Sequence, residues 1–253
     1  MTIRDVHHDR VEKVLARTII GADGTFSRVA KIANGNGHQT TPILQAIVNL
    51  PDEFQTGTTK VWFHPEYTPY FYWLIPQSKR QAAVGFIARE SKNAKANLER
   101  FLRRLNLKAT EMQAARIPAY TYGTKPWRRI AGAEIFLVGD AAAQVKVTTV
   151  GGLVTGLRGA KAAAQAILRR TDYRRELRPL RRELNLHLFI RWVLNSFHSK
   201  DYDRLLGLLN EKTIRLLSRT NRDQAAGILW RILLAQPRLL KFATFLPRGI
   251  WTQ

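Results

Sequence analysis

Ile135-Phe-Leu-Val-Gly-Asp-Ala-Ala-Ala-Gln-Val-Lys-Val-Thr-Thr-Val-Gly-Gly-Leu-Val-Thr-Gly-Leu157 decides how the chain is read. Its first four residues, Ile135 to Val138, form a short apolar run of the kind that makes a buried strand. Gly139-Asp140 ends the strand. Gly151-Gly152 follows, and Leu153 to Leu168, rich in Ala and Leu, reads as a helix. A helix start offers unpaired N–H groups and about half a positive charge. Paired glycines let a flat or anionic group come close to the backbone. Asp140 is placed to accept hydrogen bonds from hydroxyls. The stretch is either an ordinary strand–loop–helix unit or a cofactor-type arrangement, and by itself it does not choose.

A second stretch bears on the choice. In Ala16-Arg-Thr-Ile-Ile-Gly-Ala-Asp-Gly-Thr-Phe-Ser-Arg-Val-Ala-Lys31, Thr18 to Ile20 is a short strand. Gly21, Asp23 and Gly24 make a tight turn, and Ser27 is a candidate cap for a following helix. Residues 1–15 read as a strand pair or a ragged start.

Composition sets the bounds. The 253 residues can bury a real core in one large or two small domains. With no cysteine, disulfides and thiolate metal sites are excluded. The sequence holds no apolar run of the length a membrane span needs, and residues 1–20 carry charges throughout, unlike a signal peptide. Forty-one basic residues against 19 acidic give a net charge of +22, which favours anionic partners.

Together the two stretches carry a resemblance. Ile20-Gly-Ala-Asp-Gly-Thr-Phe-Ser-Arg28 resembles the Asp-Gly fingerprint of the FAD-dependent oxidoreductases related to hydroxybenzoate hydroxylase, and Val138-Gly-Asp-Ala-Ala142 resembles their Gly-Asp fingerprint, in the same order. Pro69-Tyr-Phe-Tyr-Trp-Leu-Ile-Pro76, followed by Val84-Gly85, resembles a segment of the geranylgeranyl reductases within that superfamily. Gln144-Val-Lys146, Thr148-Thr149 and Gly151-Gly152 echo their glycine-rich loop. The runner-up is a flavin-dependent halogenase or monooxygenase, but the halogenase pattern places Trp where this chain has Phe71.

The resemblance implies an α/β (α+β) fold: an incomplete Rossmann-like FAD-binding domain (1–40 and 124–170), an inserted antiparallel β-sheet substrate domain (41–123), and a basic C-terminal helical region (171–253). It implies FAD as cofactor, with Asp23, Gly24, Gly139, Asp140, Gly151 and Gly152 around it. Asp140 would take the ribityl chain and Asp23 the pyrophosphate and ribose side. The substrate would be an isoprenoid or other hydrophobic small molecule, with NAD(P)H or another electron donor. Reduction of a C=C bond needs hydride from the flavin and a proton on the other carbon, and the cofactor does the harder part. No side chain is assigned as catalytic.

This sequence departs from the family at several places. Ala143 and Val150 stand where the resembling enzymes carry Gly, and Val147 where they carry Pro. A β-branched residue in a turn that needs positive φ is strained. The Gly-x-Gly-x-x-Gly strand–helix that holds the pyrophosphate in such folds has no counterpart in the sequence. The chain is therefore expected to be a truncated member that lacks the first parallel strand, with a separate N-terminal FAD-domain polypeptide as a candidate partner.

Lys60 to His64, Tyr70 to Ile75 and Gln81 to Ala88 read as antiparallel strands. Ser91 to Leu105 reads as an amphipathic helix with Ser91 as its cap. Met112 to Tyr122 returns as a strand, with Pro118 at an edge or an end. Phe63, Tyr70, Tyr72 and Trp73 are either core or the wall of a substrate pocket. His64 reads as a surface or turn residue. Adjacent His7 and His8 point apart and do not make a metal site.

Between Arg158 and Gln253 there are 20 basic and 7 acidic residues. Helices are expected over Leu184 to Phe197, Tyr202 to Leu217 and Ala225 to Leu234. The region is either a set of helices with solvated arginine faces or a membrane-interface surface with Trp192, Trp230, Phe242, Phe245 and Trp251 inserting. A cytoplasmic protein, peripheral on the membrane, fits the second reading. No nucleic-acid-binding motif accompanies the charge. A non-catalytic, membrane-binding remnant of the fold is the alternative from outside enzymology.

Overall fold

The computed structural model describes residues 2–5, 7–51, 57–219 and 225–245. In chain order the elements are β1 (Thr2–Asp5), β2 (Arg10–Lys13), β3 (Thr18–Gly21), α1 (Arg28–Asn34), β4 (Thr40–Asn49), β5 (Lys60–Trp62), β6 (Tyr72–Pro76), β7 (Gln81–Ile87), α2 (Ala94–Arg104), β8 (Ala109–Pro118), β9 (Trp127–Ile130), β10 (Ala133–Leu137), α3 (Leu153–Arg169), α4 (Tyr173–Glu176), α5 (Arg178–Leu194), α6 (Ser199–Gly207), α7 (Glu211–Arg219) and α8 (Ala225–Ala235). Short 3-10 turns cover Gly139–Ala142 and Pro237–Phe245. The expected mixed α/β class is what the chain adopts.

Three sheets form. β1 and β2 make a hairpin, so the start of the chain is a strand pair. The second sheet has the order β3-β10-β9, with β3 and β10 parallel and β9 antiparallel to β10. β10 is the expected strand, and its alternation explains its burial. Ile135 and Leu137 pack on Ala30 and Ala33 of α1 and on Ala142 of the 3-10 turn. Phe136 and Val138 face α3, α4 and α5 through Ala162, Ala163, Ala166, Tyr173 and Leu184. Small residues on α1 and α3 let the helices lie close to the sheet. β3 is an edge strand, and among the described residues no strand pairs with its free side.

The third sheet is antiparallel, in the order β5-β6-β7-β4-β8. α2 covers one face. Its Ala94, Leu98, Phe101 and Leu102 fall on one side at helical spacing and pack on Val48, Tyr72, Leu74, Val84 and Phe86. The long strand β4 is not evident in the sequence because Pro42 sits within it, and proline argues against an interior strand. Here it sits near the strand start, and its carbonyl accepts from Ala88 N at 2.8 Å. Pro118 ends β8, an edge strand, as expected.

Two local expectations are corrected. Ser91 does not cap α2. Asn93 holds that position without a side-chain bond, and the Ser91 hydroxyl instead accepts from Arg116 Nη1 at 2.9 Å. The helix expected over Tyr202 to Leu217 is two helices. The chain leaves α6 at Gly207, and Asn210 Oδ1 accepts from Thr213 N at 2.9 Å to start α7. A polar side chain that satisfies a free N–H outcompetes continuation of the helix there.

Candidate functional site

Parallel pairing brings the two acidic-glycine turns together. Gly21 is opposite Leu137 in the register, and Val138 N donates to Gly21 O at 2.9 Å. The turns that follow therefore leave the same end of the sheet. Between them stands Thr25. Its hydroxyl lies 3.2 Å from Asp140 Oδ2 and 3.2 Å from the Arg116 carbonyl, and it can donate its one proton to either. Thr25 thus links the first turn, the second turn and β8.

The two aspartates are used differently. Asp23 accepts from Ser27 Oγ at 2.5 Å, Arg28 N at 2.7 Å and Val29 N at 3.2 Å. Ser27 Oγ in turn accepts from Ala30 N at 2.8 Å, so the expected cap is present. Burial pushes the Asp23 carboxyl up, but the Ser27 hydroxyl and the backbone N–H groups outweigh it and hold the carboxyl below its ordinary range. Its oxygens serve the start of α1. Gly24, at φ 79°, occupies a backbone conformation that suits glycine.

Asp140 lies in the 3-10 turn that follows β10. Gly139 N donates to Gln144 Oε1 at 2.8 Å, and Ala143 closes the turn in the left-handed region at φ 49°. A Cβ on Gly152 would come 3.1 Å from Asp140 Oδ1 and 3.2 Å from Val145 Cγ2. Glycine at 152 therefore lets the Asp140 carboxylate rest on the first turn of α3. α3 opens on Gly152 with no side-chain cap. Behind the turn, Tyr173 donates to Leu137 O at 2.8 Å, and burial pushes its phenol up to about 12. Between Lys146 and Gly151 the loop closes on itself through a β-bridge, and Val150 takes φ 56°. The strain expected at that valine is present.

The aromatic residues divide. Tyr72 is on the α2 side of the sheet, 1% exposed, stacked on Phe86 at 4.6 Å and against Phe101 at 4.2 Å. It is core, because period-two alternation sends it away from Trp73. Burial pushes its phenol up to about 12. Trp73 is on the other face and lies across Gly85, where a Cβ would fall 2.5 Å from its Cζ2. Phe71 touches both Trp73 and Phe63, and Phe63 stacks on Tyr202 of α6 at 4.4 Å. Tyr70 lies under the Arg191 guanidinium, 4.3 Å from ring centre to carbon. His64 is partly exposed and opens a turn, its carbonyl accepting from Tyr67 N at 2.9 Å. Its ring packs among Tyr67, Tyr72 and Phe101, with Nδ1 3.2 Å from Glu66.

The sequence reading missed Arg191. This buried arginine donates from Nε to Val147 O at 3.0 Å, from Nη2 to Thr148 O at 2.6 Å, and from Nη1 to Pro69 O. It joins α5, the glycine-rich loop and the aromatic segment at one point. Burial pulls its pKa down, and Tyr70 and Tyr202 oppose that. One turn earlier, His187 Nδ1 bonds the Thr148 hydroxyl at 2.6 Å, with Glu183 3.5 Å from Nε2. A signal was available: Leu180, Leu184, His187 and Arg191 fall on one helical face, and all four are buried.

The C-terminal aromatics are partly spent on packing. Phe242 and Phe245 stack on buried Phe197 at 5.2 and 4.9 Å, and Trp192 lies against Phe189. Trp251 and the side chain of Trp230 lie outside the described residues. Among the described residues no helix is long and apolar enough to cross a membrane, and no cluster of metal-ligating side chains occurs.

No family model matches the chain. It is 27% identical over 257 residues to digeranylgeranylglycerophospholipid reductase 2 of Methanothermobacter thermautotrophicus, covering 92% of this chain and 63% of that protein. In three dimensions it resembles a geranylgeranyl bacteriochlorophyll reductase-like protein of Thermoplasma acidophilum, with a TM-score of 0.68 at 17% identity, over 95% of this chain and 66% of that one. A myxobacterial chondrochloren halogenase aligns less well, with a TM-score of 0.51 at 18% identity, over 89% of this chain and 60% of the halogenase. The chain thus spans less than two thirds of the length of each.

Proposed function

We propose, with the chain a member of the geranylgeranyl reductase family, that it contributes part of an FAD-dependent reductase acting on C=C bonds of an isoprenoid lipid. The observation that carries this is the meeting of the two acidic-glycine turns around Thr25, beside the start of α3. The residues fit a flavin in two respects: Gly152 is where a Cβ would crowd Asp140, and the N-terminus of α3 is left without a side-chain cap. When bound, the flavin supplies the hydride.

This chain's residues bind and orient. Asp140 would accept from the ribityl hydroxyls, and the Gly151 and Gly152 N–H groups would offset the negative charge that gathers on the ring when the flavin is reduced. Gly24 and Gly139 allow close approach, and Asp23 holds the first turn in shape through α1. Phe63, Tyr70 and Trp73 form the apolar wall, with Arg191 fixing Tyr70 against the glycine-rich loop. Residues 1–40 with 124–170 act as the cofactor part, 41–123 as the substrate part and 171–253 as the basic helical cover. NAD(P)H or another reductant supplies the electrons.

The free side of β3 supports a further partner, a strand and helix bearing Gly-x-Gly-x-x-Gly, supplied in the same polypeptide or by a second one. Apolar side chains stand exposed on β3 and in the turn after it: Ile20 at 52% and Phe26 at 63%. Exposed Leu234 beside Arg231, and exposed Leu240, support contact with a membrane surface, and so a peripheral place on the cytoplasmic side. Phe71 in place of Trp, and the lower structural similarity, favour the reductase over a halogenase.

The test is flavin retention after gel filtration, with FAD alone and with FAD plus the strand–helix polypeptide. The polypeptide should raise the bound fraction, and Asp140→Ala should abolish it. A colourless protein under both conditions would favour the non-catalytic remnant, and full retention by the Asp140→Ala variant would remove Asp140 from the site.

A further inference from the structure

At the opposite end of the sheet, where β3 and β10 begin, the molecule is lined with arginine. Two adjoining cavities of about 590 and 650 Å3 share Asp172 and Arg174 in their walls. Arg17, Arg129 and Arg170 line the first, with Glu134 and the shared Asp172 as its acids. The second holds Arg174, Arg175, Arg178, Arg181 and Arg182 against one acid, Asp172, among the described residues.

That acid is already committed. Asp172 accepts from Arg174 N at 2.8 Å and from Arg174 Nη2 at 2.8 Å. The Arg174 guanidinium also lies over the Trp127 ring at 4.8 Å, so one guanidinium is held in place between a carboxylate and an aromatic face. Among the described residues, the remaining four guanidiniums crowd one wall whose lining holds no acid besides Asp172. Like charges at this spacing repel, and the first turn of α5 holds no acidic residue to offset them. Among the described residues neither cavity is lined by lysine. Arginine presents a planar fork that takes two oxygens of a phosphate at once, which a lysine cannot do.

We infer that this arginine-lined cavity binds a phosphate-bearing anion, a phosphate or diphosphate group taken by Arg175, Arg178 and Arg182 with Arg174 already positioned. The site is separate from the turns of Asp23 and Asp140 and does not depend on the flavin reading. The group can come from a soluble phosphate ester or from an anionic lipid headgroup, since both offer the same oxygens.

Calorimetric titration of the purified chain with inorganic pyrophosphate, beside sedimentation with vesicles of phosphatidylglycerol in phosphatidylcholine, tests the inference. Saturable pyrophosphate binding is expected. It should weaken roughly tenfold or more in Arg178→Ser/Arg182→Ser, while Lys212→Ser/Arg215→Ser, an equal loss of charge on α7, should leave it nearly unchanged. Arg178→Lys/Arg182→Lys keeps the charge and removes the fork, so it should fall between, and it serves if the serine variant does not fold. Binding in solution without vesicle binding assigns a soluble ester. Vesicle binding displaced by pyrophosphate assigns a headgroup. The inference fails if neither probe binds, if the α7 variant weakens binding as much, or if a bound single-stranded oligonucleotide resists displacement by pyrophosphate.

Discussion

At the scale of residues, the site is held by few side chains, each with a separable effect. Val150 keeps a left-handed φ of 56° without being glycine. Val150→Gly should therefore stabilise the fold by about 1 kcal/mol net, or about 2–4 °C in a thermal melt. Asp23 should mark the acid limb of stability. Its carboxyl is lowered in the folded chain, so its contribution is complete above the unfolded value of about 4 and disappears as pH falls through the lower folded value. Asp23→Asn should flatten the dependence of the urea midpoint on pH in that acid window, and an unchanged slope would refute it. Asp23, Gly24, Gly139 and Asp140 were legible because glycine next to an acid after an apolar run marks a turn at a strand end. Arg191 was not, because the groups it bonds are backbone carbonyls far away in the chain, and no residue type announces a carbonyl.

At the scale of elements, β10 was readable as an unbroken apolar run, Ile135 to Val138, that stays buried on both faces, and α3 as a long stretch rich in Ala and Leu. α2 is similar, with its apolar side fixed at Leu98, Phe101 and Leu102. Leu98 is fully buried at the centre of that face, and Leu98→Ala should cost about 2–5 kcal/mol, read from chemical denaturation. β4 escaped notice because Pro42 interrupts its pattern, and the break between α6 and α7 because Gly207 and Asn210 lie inside an otherwise continuous apolar periodicity. In both cases a single residue's backbone chemistry overrode the pattern around it.

At the scale of the whole molecule, the charge of +22 works against compactness. Moderate salt should screen that repulsion and raise the melting temperature, by about 2–4 °C for each kcal/mol relieved; a melt that falls with salt would show that ion pairs outweigh it. Among the described residues, exposed ion pairs such as Arg4 with Asp9 and Lys95 with Glu99 contribute little. Composition gave the sign of the charge, but only the fold shows that arginines from residue 17 to residue 182 gather at one end of a sheet.

The guanidinium that joins Pro69, Val147 and Thr148 has a consequence for anyone who alters this protein. Because one rigid planar group spans three backbone segments, a shift in any segment is passed to the other two. Substitutions near Tyr70 and in the loop at 147–148 should therefore be epistatic, their combined effect departing from the sum of the parts. Libraries that vary one region with the other frozen will sample a distorted landscape, so the two should be diversified jointly.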